Sequence, residues 1–164
     1  MKIGNSSIND NTVSVIGKFA VLWNKFERQQ FGKNFNSDKL RNKMSSLTRF
    51  YDETAVSKLQ EVTRQRIIGL FGVYEQGTIS RYISEQLGIK VIGGRDSILL
   101  KQFIDSYPTQ SEEDRLEAAL LICHRIRCNM FHGEKDTNAT DISSLDAQIY
   151  LFKAINSVLE LFAQ

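Results

Sequence analysis

The stretch SEEDRLEAALLICHRIRCNMF, residues 111–131, decides the fold class. Ser111 and Asp114 have capping-box spacing, with Asp where Glu or Gln is usual, and Glu112, Glu113 and Asp114 set negative charge at the positive end of a helix dipole. Leu116, Ala119, Leu120, Cys123, Ile126 and Met130 then recur at helical spacing. A polar, turn-rich segment runs from Gly133 to Thr140. A last helix is predicted from about Ser144, with Ile149, Phe152, Ile155, Leu159 and Phe162 inward. Two strong helices flanking one loop point to an all-α chain.

Working back from Ser111, Pro108 is the only proline and must end the preceding helix, in which Leu99, Leu100, Phe103 and Ile104 face inward behind a cap at Asp96. At the other end, Ile16, Phe19, Ala20, Trp23 and Phe26 predict an amphipathic helix over Val13 to Phe31. A second stripe is Leu40, Met44, Leu47 and Tyr51, with Asp38 as its cap, and a third helix is expected from about Thr54 to Leu70. Between them and Asp96, the glycines at 69, 72, 77, 88, 93 and 94 permit turns, so short helices are expected there, with a brief extended piece over Lys90 to Ile92 as the alternative. The fold expected is an all-α, up-and-down helical bundle with additional short helices in its middle. It forms a single domain over residues 1–164, with residues 1–11 as a flexible N-terminus.

Composition excludes several classes. No apolar run approaches the roughly 18 residues of a membrane span, and Met1 to Asn11 lacks the apolar core of a signal peptide, so the cytoplasm is the default expectation. Cys123 and Cys128 stand five apart in one helix, poorly placed to pair, and read as free thiols. The formal charge of +2 conceals an asymmetry: Ile16 to Lys101 holds 15 basic and 8 acidic residues, Gln102 to Gln164 5 basic and 10 acidic. A basic first part can grip a polyanion through residues such as Lys18, Lys25, Arg28 and Lys43, or can be a solvated surface.

Groups useful to phosphate chemistry cluster where the helix of residues 111–131 ends: Arg125, Arg127, Asn129, His132 and Lys135. RNA can be cut without a metal when a base takes the proton of its 2′-hydroxyl, which then attacks the adjacent phosphorus. His132 suits that proton transfer near neutral pH, an arginine supplies fixed donors and charge to the phosphorane oxygens, and Asn129 can orient either. One histidine cannot conveniently act on both sides of the phosphorus, which favours two copies across one cleft. Arg125 shares a face with Asn129 and His132, so which arginine meets the phosphate stays open, with Arg127 preferred.

Arg127-Cys-Asn-Met-Phe-His132, its continuation Gly133-Glu-Lys135, and the opening helix with Phe19, Trp23, Phe26 and Glu27 resemble the HEPN domains (higher eukaryotes and prokaryotes nucleotide-binding). Members of that family are helical bundles with an Arg-x4-6-His motif near the end of their second-last major helix, and many are metal-independent ribonucleases working as dimers. The resemblance implies an RNA-cleaving homodimer, a toxin or antiviral-defence effector with an antitoxin or other regulatory partner and no cofactor. Arg127, His132 and Asn129 would be its catalytic residues, and Glu27, Arg125 and Lys135 would support them. Cys128 stands where the family usually has a polar residue. Glu134 stands where toxins modified by nucleotide transfer carry a tyrosine, so that mode of control is not expected.

Blander readings stand beside these. His132 can simply cap a helix end, Arg127 can be one half of a structural ion pair, and Lys135 can be a surface lysine. The whole chain can then be a non-catalytic module of the same fold that binds a nucleotide or a partner protein. His124, Cys128 and His132 follow at four-residue spacing, the pattern of a single-helix metal site, but no second ligand cluster exists elsewhere and no metal is expected.

Overall fold

Asn9 starts the first helix by accepting a hydrogen bond from the Asn11 amide at 2.8 Å, and α1 then runs Asp10–Phe31 in the computed structural model. The structure describes residues 2–3, 6–7, 9–91, 93–131 and 148–163, with side chains for 9–91, 93–130 and 148–163. Ahead of α1, a two-residue antiparallel ladder pairs Lys2 with Ser7 and Ile3 with Ser6. Gly32 ends α1 at positive φ, Asn34 follows in the left-handed region at φ +58, and α2 spans Ser37–Leu47. After a 3₁₀ turn at Thr48–Phe50, α3 covers Glu53–Phe71 and ends on Gly72 at φ +77. The short α4, Gln76–Arg81, passes directly into a π-helical turn at Tyr82–Gln86. Then come α5, Arg95–Asp105, a 3₁₀ turn at Tyr107–Thr109 holding Pro108, α6, Glu112–Phe131, and α7, Ile149–Glu160.

The chain is an all-α bundle, as the helical spacing of its apolar residues requires. Two helix starts differ from expectation. Asn36, not Asp38, caps α2, its side chain accepting from the Lys39 amide at 2.9 Å, because a cap must be extended and precede the helix while Asp38 already lies in the first turn. Likewise Gly94 holds the cap position of α5, and Asp96 lies inside its first turn. Tyr51 follows the 3₁₀ turn instead of continuing α2. Gly69 and Gly77 are helical, whereas Gly72, Gly88 and Gly93 take positive φ and make the turns. Lys90 and Val91 join no strand, and Ile92 lies outside the described residues, as do Gly133 to Thr140 and Ser144.

Helix α6 is the axis of the bundle, packing on α2, α3, α5 and α7. Leu116 and every residue from Ala118 to Cys123 are buried, as is Glu117, so the helix is enclosed on all sides over two turns and not only along its one apolar stripe. Its start is as expected, the Asp114 amide donating to Ser111 Oγ at 3.1 Å. Around it, α1 and α7 pack closely: the rings of Phe19 and Phe152 lie 5.6 Å apart and those of Phe26 and Phe162 5.0 Å, while Asn156 Nδ2 donates to the Val15 carbonyl at 3.1 Å. Fully burying such aromatic or aliphatic side chains contributes about 1.5–3 kcal/mol each before entropy is counted. No helix among the described residues is long and apolar enough to cross a membrane.

Candidate functional site at the end of the central helix

With about 100° per residue, the last two turns of α6 sort into four faces: His124 and Cys128, Arg125 and Asn129, Ile126 and Met130, Arg127 and Phe131. The Ile126 and Met130 face packs on the core, which fixes the rotation of the other three.

Arg125 and Asn129 grip the end of the π turn. Arg125 Nε donates to the Leu87 carbonyl and Asn129 Nδ2 to the Gln86 carbonyl, each at 2.6 Å. These carbonyls end a helical segment, where carbonyls lack intrahelical partners and where a cation meets the negative end of the local dipole. Gly88, at φ +71, makes the approach possible, since a Cβ there would stand 2.8 Å from Arg125 Nη2. A side chain at residue 88 would therefore collide with the guanidinium while forcing a backbone conformation that L residues avoid.

The His124 face meets α1 and the α1–α2 connection. The imidazole lies 5.6 Å from the Trp23 ring and 4.4 Å from the Phe35 ring, with Nε2 3.3 Å from Cys128 Sγ. Phe35 is held in turn by Glu27, whose carboxylate accepts from the Phe35 amide at 3.3 Å. Glu27 thus fixes the connection against which the end of α6 rests. Arg127 is partly exposed on the remaining face and engaged in an interaction of its own. His132 and Lys135 lie outside the described residues, beyond Phe131.

The cations expected to hold RNA are spread over the outer side of α1 and α2. Lys18 pairs with Glu160, Lys25 donates to the Ala163 carbonyl at 2.9 Å, and Lys43 donates to the Gln30 carbonyl while lying 5.5 Å from the Phe31 ring centre. Arg28 is exposed and lines an open groove on α1 with Val21, Asn24, Lys25 and Gln29. The structure does not gather Lys18 and Lys43 with them, because each is drawn to a neighbouring helix. Among the described residues no group of three His, Cys, Asp or Glu side chains can hold a metal ion, and the third member of the His124, Cys128, His132 series lies outside them.

Two polar clusters were not anticipated. Glu117 is buried in the middle of α6 and takes a two-pronged bond from Arg95, whose Nη2 stands 2.9 Å from Oε1; the Arg95 side chain itself is 42% exposed. The hydrogen bond to Glu117 raises the Arg95 pKa above its ordinary value. Its signal was a lone carboxylate inside the apolar run Leu116 to Cys123. The second cluster joins Tyr51, Glu53, Tyr107 and Arg115: Glu53 accepts from Tyr51, from Tyr107 at 2.8 Å and from Arg115 at 3.3 Å. Burial works against the charged carboxylate, but those hydrogen bonds and the Arg115 charge outweigh it, and the Glu53 pKa falls. Burial and the bonds to Tyr51 and Glu53 push the Tyr107 hydroxyl up. Residues from three separate segments meet here, so no local pattern announces them.

Comparison with protein-family models, curated proteins and solved structures finds no match to this chain.

Proposed function

We propose that this protein is a metal-independent endoribonuclease of the HEPN type, acting as a homodimer. The observation that carries the reading is the form of the α6 end. Arg127 is partly exposed on the face of the last two turns that lies apart from the Arg125–Asn129 and His124–Cys128 faces, has an interaction of its own, and stands five residues before His132. Arg125 and Asn129, tied to the π turn, hold that end in place. Fixing the helix end is the task we give Arg125 and Asn129, and the Arg127-x4-His132 spacing makes Arg127 the arginine that meets phosphate.

In the proposed reaction the 2′-hydroxyl of RNA loses its proton to His132 and attacks the adjacent phosphorus, while the Arg127 guanidinium stabilises the charge on the phosphorane oxygens. A second copy of the segment across the dimer supplies the opposite acid or base. The biological setting that fits is a toxin or antiviral-defence effector restrained by a regulatory protein.

A specific observation favours a second reading, a non-catalytic helical module binding a nucleotide or partner. The polar neighbours of Arg127 in the sequence are already engaged, Asn129 with the Gln86 carbonyl and Cys128 with His124. The two readings separate on Arg127→Ala and His132→Ala. An enzyme loses RNA cleavage in both while melting unchanged; a structural pair lowers the melting temperature and shows no cleavage in the parent protein.

A further inference from the structure

The two thiols of α6 have opposite surroundings. Cys123 is fully buried in the core, where desolvation pushes its thiol up and keeps it protonated. Cys128 lies one and a half turns further along, partly exposed, with Sγ 3.3 Å from His124 Nε2. The imidazole packs against Trp23 and Phe35, which also touch each other, and these rings restrict its orientation while Nε2 meets the sulfur. Trp23 adds a second observation. It is 1% exposed, its indole Nε1 has no hydrogen-bond partner among the described residues, and its ring packs beside the imidazole.

A thiol whose proton can pass to an adjacent imidazole, itself oriented by a third group, is the arrangement that generates a nucleophilic sulfur. The aromatic faces add to it, because a ring quadrupole attracts the cation that the imidazole becomes. We propose that Cys128 and His124 form a reactive thiol–imidazole pair, a site at which hydroperoxides oxidise the protein. His124 Nε2 takes the Cys128 proton, and the sulfur attacks one oxygen of hydrogen peroxide. The S–O bond forms as the O–O bond breaks, and His124 returns its proton to the departing hydroxide, which leaves as water. Sulfur loses two electrons and becomes a sulfenic acid; the peroxide gains them. Cys123 faces the core from the same helix and cannot resolve the product, so the sulfenic acid waits for a small external thiol. The site rests on its own geometry and stands whether or not the chain cleaves RNA.

The test is alkylation of the folded, full-length protein by iodoacetamide at pH 7, followed at each cysteine by peptide mass spectrometry, with glutathione in the same tube. Cys128 is expected to react faster than glutathione and to slow about tenfold in His124→Gln, while Cys123 stays unlabelled. Hydrogen peroxide with dimedone should place an adduct on Cys128 alone. A Cys128 slower than glutathione, a rate unchanged in His124→Gln, or no dimedone adduct would each overturn the proposal. Labelling of Cys123 in His124→Gln would report unfolding, and the glutathione comparison in the unsubstituted protein then decides alone.

Discussion

Replacing Gly88 with alanine tests how the end of the central helix is held. The residue has φ +71, a conformation costing an L side chain about 1–2 kcal/mol. Its new Cβ would stand 2.8 Å from Arg125 Nη2, so the guanidinium must shift, and Nε is expected to leave the Leu87 carbonyl as it does, a charge-assisted bond contributing about 1.5–3 kcal/mol. The two costs together come to about 2.5–5 kcal/mol, which for a chain of this length lowers the melting temperature by about 5–20 °C. Chemical denaturation of Gly88→Ala, Arg125→Ala and the double variant separates them. The lost Arg125 bond is common to both single variants, so the double variant should be more stable than their sum predicts by about 1.5–3 kcal/mol. Additivity within about 0.5 kcal/mol would refute the reasoning, because it would mean that residue 88 and the guanidinium do not meet.

Other expected outcomes follow from the remaining clusters. Arg95→Ala, which strands the buried Glu117 carboxylate, should cost about 3–5 kcal/mol, and Glu117→Gln distinctly less, because the half-exposed Arg95 can return to water; equal losses in urea melts would contradict this. Glu53, whose pKa is lowered in the folded state, contributes stability that is present above its unfolded pKa and lost as pH falls through the folded one. The melting temperatures of the parent protein and Glu53→Gln should therefore converge as pH falls below the ordinary carboxylate range, and a difference that does not narrow on acidification would count against the cluster. If α1 holds RNA, Lys25→Ala and Arg28→Ala should each reduce the salt slope of single-strand binding by about 0.7; an unchanged slope removes α1 from the interface.

The central helix could be read from its sequence because its signals are local. The Ser111 hydroxyl, the acidic first turn and the apolar spacing from Leu116 to Met130 all concern residues within one turn of each other. The enclosure of Glu117 and Leu121 could not be read there, since it depends on how many helices surround α6. The glycines of the middle show the same limit: glycine accepts helical and left-handed backbone alike, so Gly69 and Gly72 look equivalent in sequence, and only the termination of α3 separates them. The caps of α2 and α5 lie two residues before Asp38 and Asp96; at α2, Asn36 and Asp38 are both competent acceptors, and the choice depends on where the chain leaves the left-handed turn at Asn34. At the candidate site, the cluster around Arg127 was visible as a density of polar residues. The engagement of Arg125, Asn129 and Glu27 was not, because their partners, Leu87, Gln86 and Phe35, contribute backbone atoms that leave no mark on residue type.

The most direct measurement is cleavage of cellular RNA by the purified protein in excess chelator, beside His132→Ala and a substrate carrying a 2′-deoxy nucleotide at the mapped cut site. The parent protein is expected to cut, and either change to abolish the cut. A folded dimer that leaves RNA intact, or a cut that survives the 2′-deoxy substitution, would contradict the ribonuclease reading.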